Sequence, residues 1–214
     1  MGLRIAGIAL AGIITMSLTW RLINAEEGRN APQTTNGQKG GQTADAMDRY
    51  ARYAGTEPAL KLSFEYPAGW PFHEERGKVD IYSEVRFAGP RNADDTYTAI
   101  FSVRGSPLKA ARGKYQDAAE AVAHTKQHLL QDSRIVSEQL TVVAGTKATE
   151  LIVASTMPAI HHKGIKAMAV PLMGRTIFLE RGPYLYELAF SADAREYDRS
   201  LQAFQHVLDT LQLQ

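Results

Sequence analysis

Between Leu60 and Tyr66 apolar and polar side chains alternate without a break (Leu-Lys-Leu-Ser-Phe-Glu-Tyr). A period of two fits a β-strand with one buried face and one wet face, and it does not fit an amphipathic helix. Pro67-Ala-Gly-Trp70 ends the strand as a turn and brings a large aromatic back over the sheet. Further strand-like runs follow at Val79–Tyr82, Glu84–Phe87, Tyr97–Val103, Val136–Val143, Ala148–Ser155, Lys166–Met173, Thr176–Glu180 and Tyr184–Phe190. The breaks at Gly89-Pro90, Ala144-Gly145, Gly174 and Arg181-Gly-Pro183 mark short connections. Successive strands are therefore expected to pair as antiparallel hairpins.

Three helices complete the pattern. Ala44–Ala54 places Met47, Tyr50, Ala51 and Ala54 at helical spacing, with Gly55 as a stop. Tyr115–Gln131 carries Tyr115, Ala119, Val122, Leu129 and Leu130 on one side. Asp193–Leu213 does the same with Tyr197, Leu201, Phe204, Leu208 and Leu211, and Asp193 with Glu196 reads as a capping box. Strands in sequence, with helices in the middle and at the end, predict an α+β domain in which helices pack on an antiparallel sheet.

That domain spans 46–214 of a 214-residue chain, a length that suits one domain plus an extension. The extension begins with Arg4 and an uncharged run from Ile5 to Trp20, about the length of a signal-peptide core and shorter than the ~20 residues that span a bilayer. Residues 1–25 are read as a cleaved export signal or a retained membrane anchor, Ile23 and Arg21 fitting a cleavage site imperfectly. Residues 26–45, rich in Gly, Gln, Asn and Thr, are read as a flexible tether. The expected address is periplasmic or otherwise extracytoplasmic, either soluble or held at the inner membrane through 1–25.

Cysteine is absent, which excludes disulfides, thiolate metal sites, a cysteine nucleophile and a lipidated cysteine. Two of the 24 basic residues and none of the 23 acidic ones fall in 1–25, so the remainder carries −1. A nearly neutral domain has no overall electrostatic footprint for nucleic acid, which argues against a nucleic-acid partner.

The segment Phe64-Glu-Tyr-Pro-Ala-Gly-Trp70 resembles the F-x-Y-P-x-G-W opening of the PsbP family, the extrinsic proteins of photosystem II and their bacterial relatives. Tyr184-x-Tyr-Glu-Leu-Ala-Phe-Ser-Ala192, followed by a helix with a central phenylalanine, looks like the close of the same domain. Val142-Val-Ala-Gly145 leading into Ala148–Ser155 fits its central hairpin. The resemblance covers about 46–214 and implies an α/β/α sandwich around a mainly antiparallel sheet, shared with Mog1-type domains. It also implies a non-enzymatic role in docking on larger assemblies, which in the photosynthetic members goes with calcium and chloride retention. The N-terminus has no Ser/Arg-rich transit peptide.

The leading expectation is thus a non-enzymatic accessory domain that docks on a membrane-associated protein complex. Trp70 and the basic run Arg104, Lys109, Arg112 and Lys114, which joins a strand to a helix, are its candidate contacts. The alternative is a periplasmic protein for a small ligand or a metal ion. His73, Glu74 and Glu75 could meet the Asp94-Asp95 pair and hold Ca2+, Mn2+ or Zn2+, because hard cations take carboxylate oxygens. His124 and His128 lie four apart on a helix, but Thr125 stands where a zinc protease has its glutamate, and helical geometry predicts a solvated pair. His161-His162 reads as a surface turn. Neither a G-x-S-x-G elbow nor an S-x-x-K motif occurs, and Gly37-Gln-Lys-Gly-Gly41 lies in the tether rather than in a phosphate loop.

Overall fold

The alternating segment forms β2 (Leu62–Pro67), and the stretch before it is also a strand, β1 (Tyr50–Ala54), rather than the end of a helix. The two pair antiparallel, with Tyr53 opposite Phe64 and Ala51 opposite Tyr66. Strand pairing buries the Tyr53 ring against Phe64 at 5.1 Å between centroids, which a helix at this position would leave unpartnered. A computed structural model describes residues 49–77, 81–91, 98–130, 132–157, 161–162, 165–166 and 169–214. The signal or anchor expected at 1–25, the tether at 26–45, the first part of the expected Ala44–Ala54 helix, and Asp94 and Asp95 lie outside the described residues.

Seven antiparallel strands make the main sheet. These are β3 (Phe72–Arg76), β4 (Ser83–Ala88), β5 (Ala99–Pro107), β6 (Arg134–Val143), β7 (Thr146–Met157), β10 (Val170–Arg181) and β11 (Tyr184–Asp193). Their order across the sheet is β3-β4-β5-β11-β10-β7-β6. The strand β3 is not among the strand-like runs of the sequence, and β10 runs unbroken through Gly174 instead of stopping there. His161–His162 (β8) and Ile165–Lys166 (β9) pair as a separate two-stranded ribbon, and β12 (Gln212–Leu213) joins β1 and β2 in a small sheet ordered β1-β2-β12.

The helices lie on opposite faces of the main sheet. α1 (Ala118–Gln127) starts at Asp117, whose side chain accepts from the Glu120 N–H at 2.8 Å, and it buries Ala121 and Val122 against Leu151, Val153, Phe178 and Leu185. α2 (Tyr197–Thr210) and the small sheet cover the other face, where Phe204, Val207 and Leu208 meet Phe101, Leu188 and Phe190. Phe178 and Leu179 are neighbours in β10 and are buried on opposite sides, as strand alternation requires. Asp193 ends β11 rather than capping α2, and its carboxylate accepts from the backbone and guanidinium of Arg195. Among the described residues, no helix is long and apolar enough to cross a membrane.

Gly105 fixes the fit of the layers. A Cβ there would stand 1.8 Å from the Ala59 carbonyl oxygen, so only glycine lets the turn before β2 rest on β5. The largest core cluster then runs continuously from Tyr53 to Leu211 through Phe64, Phe87, Phe101, Phe190 and Phe204.

Candidate functional site

On the α1 side of the sheet, β4, β5 and β11 place charges where strand alternation would otherwise bury apolar residues. Register sets Glu84 opposite Arg104, and Arg104 opposite Glu187. Glu84 is 4% exposed and is held from two sides. Arg86 donates to it from Nε at 2.7 Å and from Nη2 at 3.1 Å, and Arg104 Nη2 donates at 2.8 Å. Burial works against its charge, yet Arg104 and Arg86 more than offset this and hold its pKa below the usual carboxylate range. Arg86 also pairs with Glu75 at 3.1 Å, Glu75 accepts from the Tyr82 hydroxyl at 3.1 Å, and the Arg104 guanidinium lies 4.4 Å over the Tyr82 ring. Burial pushes Glu187 the other way and raises its pKa, helped by Glu84 and opposed by Arg104 and Lys114.

The expected acidic metal site is not assembled by its first three residues. Glu75 opposes Glu84 and His73 opposes Arg86, so both lie on the charged face, whereas Glu74 opposes Val85 on the other. Glu74 accepts the Tyr53 hydroxyl at 2.8 Å, which satisfies a buried phenol. Among the described residues, no group of three or more His, Asp or Glu is placed to hold a metal ion.

Two of the expected partner contacts are engaged within the fold. Trp70 is 6% exposed, with its ring 5.6 Å from Phe101 and its edge against Gly89, so it packs in the core. Arg104 is committed to Glu84. Lys109, Arg112 and Lys114 are exposed, and none makes an ion pair among the described residues.

The turn that carries these three cations is braced along its length. Leu108 N–H donates to Pro183 O at 2.8 Å, Lys109 N–H to Tyr115 O at 2.7 Å, and Gly113 N–H to Leu108 O at 2.9 Å. Arg112 takes the left-handed conformation at φ 70°, and a Cβ on Gly113 would stand 1.5 Å from Pro107 O. Arg181, opposite Tyr184 at the adjoining β10–β11 turn, adds an exposed cation that sequence spacing did not bring to this group. The bond from Leu108 to Pro183 joins the two turns, and no local motif signals it.

Beside the turn, His124 and His128 stack at 4.0 Å between centroids with 17° between planes. Both are half-buried rather than solvated, and Tyr115 folds back against His124 with its hydroxyl 3.3 Å from His124 Nδ1.

No family model and no curated protein matches the chain. Similar solved structures include a protein of unknown function from Pseudomonas aeruginosa, with 16% identity, 77% of this chain and 97% of that chain covered, and a TM-score of 0.47. LpqN of Mycobacterium tuberculosis, described as involved in cell envelope biogenesis, shares 13% identity over 76% of this chain and 89% of its own, with a TM-score of 0.43. Cyanobacterial PsbP from Synechocystis sp. PCC 6803 shares 15% identity over 86% of this chain and all of its own, with a TM-score of 0.45.

Proposed function

We propose that this chain is an exported, non-enzymatic accessory domain that docks on a membrane-associated protein complex through the turn Lys109–Lys114. The observation that carries the reading is the state of the three cations. Surface charges on a loop ordinarily move freely or pair in local salt bridges, and here they stand exposed, with Lys114 lying 5.0 Å over the Tyr115 ring, on a turn whose backbone is fixed by hydrogen bonds to two neighbouring segments. Presenting charge on a rigid frame lowers the ordering cost of association and selects a partner with an acidic surface. The PsbP-like motifs at Phe64–Trp70 and Tyr184–Ala192 support the same class of work.

The test is mild crosslinking in the native cells, followed by purification of the full chain and of a K109E/R112E/K114E variant. The wild type should come down with a membrane complex, in a yield that falls as salt rises, and the variant should come down alone. Recovery of the wild type only as a free monomer would sink the proposal, as would equal recovery of the complex by the variant.

A further inference from the structure

We propose that His124 and His128 form a two-imidazole site for a divalent transition-metal ion, Zn2+ or Cu2+, at the C-terminal end of α1. Residues four apart share a helix face, and here the two rings overlie each other at 4.0 Å with nearly parallel planes. Each ring has its Nδ1 engaged. His128 Nδ1 lies 2.7 Å from the His124 carbonyl oxygen, so it carries the proton and donates, which leaves the lone pair on Nε2. His124 Nδ1 faces the Tyr115 hydroxyl at 3.3 Å, and in the tautomer that donates to the phenol oxygen its Nε2 is free as well. Metal-bound histidines show this arrangement: one nitrogen on the ion, the other donating to a carbonyl or another oxygen that fixes the ring.

In the stacked rings the two Nε2 lone pairs run side by side, so holding one ion at about 2.0–2.1 Å requires the His124 ring to turn about its Cβ–Cγ bond and exchange its long 3.3 Å contact with Tyr115 for the metal, while His128 stays fixed by its carbonyl. Imidazole suits Zn2+ and Cu2+, whereas Ca2+ and Mg2+ prefer oxygen. The charged groups around the pair act in both directions. Lys114 lies close enough to His124 to disfavour a second positive charge, and Glu120, one turn earlier on the helix, favours it. Two protein ligands leave the remaining positions to water, an open site rather than a closed structural one.

Calorimetric titration of the full chain with Zn2+ alone at pH 7.5 tests the idea, with Cu2+ electron paramagnetic resonance counting the nitrogens. The wild type should bind one ion through two nitrogens. H124Q and H128Q should each weaken binding by about tenfold or more and reduce the nitrogen count to one, and acidification to pH 5 should abolish binding. No binding by the wild type up to millimolar Zn2+ or Cu2+ would overturn the proposal, whatever the variants do. So would unchanged binding by H124Q/H128Q together with loss in an H161Q/H162Q variant, since the ion would then belong to the other histidine pair.

Discussion

Glu84 and Glu187 sit within one charged cluster and respond to it with opposite sign. Arg104 and Arg86 hold the Glu84 carboxyl below its usual range against the pull of burial, so Glu84 contributes stability that is present above the unfolded carboxylate pKa. That contribution is lost as pH falls through the lower folded value. Glu84→Gln keeps the shape and leaves two guanidinium groups facing each other without their counter-charge. It should destabilise the fold by about 3–5 kcal/mol near neutral pH, measured by urea denaturation, and flatten the acid limb of the stability profile. Glu187 has its folded pKa raised, so ionising it costs stability as pH rises through the window between its unfolded and folded values. Glu187→Gln should therefore stabilise the domain at pH 7, with the gain fading as pH falls through that window and absent below the ordinary glutamate range. A loss of stability in Glu187→Gln at neutral pH would mean that its attraction to Arg104 outweighs its burial. None of this was legible in the sequence, because Glu84, Arg104 and Glu187 come from three strands and only register joins them. Glu187 carried a weak signal, as the single charge in the otherwise apolar run Tyr184–Phe190.

Elements were legible where side-chain period and burial agree. β2 alternates in sequence and has one buried face against the core, so its period alone revealed it. β3 was missed because Phe-His-Glu-Glu-Arg lies at the sheet edge, where its backbone pairs with β4 and its side chains are mostly exposed. β1 was misread because Tyr50, Ala51 and Ala54 fall at helical spacing by coincidence, and a short run cannot separate the two periods. Turn chemistry was the more dependable guide. Ala144 and Gly145 join β6 to β7 with φ of 50° and 73°, and the two-residue hairpin with both φ positive prefers Asn-Gly. Alanine is strained at the first position, so Ala144→Asn should raise stability by about 0.5–1 kcal/mol and move the thermal midpoint upward. The opposite outcome is expected at Gly105. There alanine would collide with the Ala59 carbonyl, and Gly105→Ala should cost about 3 kcal/mol or more.

At the scale of the molecule, the last residues close the layers on one another. Leu211 is 5% exposed within the main core, Gln212 pairs with Ser63 and Leu213 with Leu62, and Gln214 N–H reaches Lys61 O at 3.0 Å. Arg52 ties the same corner from β1, donating to Ser63 at 3.0 Å and to Gln212 at 3.2 Å. The C-terminus thus joins α2 to the small sheet, and that pair shields the phenylalanine core from water. Ending the chain at Thr210 removes one fully packed leucine and a strand pairing together. Loss of a buried leucine side chain alone costs about 2–5 kcal/mol, so the shortened chain should lose at least that much and its urea midpoint should fall accordingly. A chain begun at Arg49 keeps every one of these contacts and should unfold at the midpoint of the full-length protein. If removing the first 48 residues proved as damaging as removing the last four, the core would have to extend beyond the layers described. If only the C-terminal truncation is damaging, the layers from Arg49 onward are sufficient for the stability of the domain.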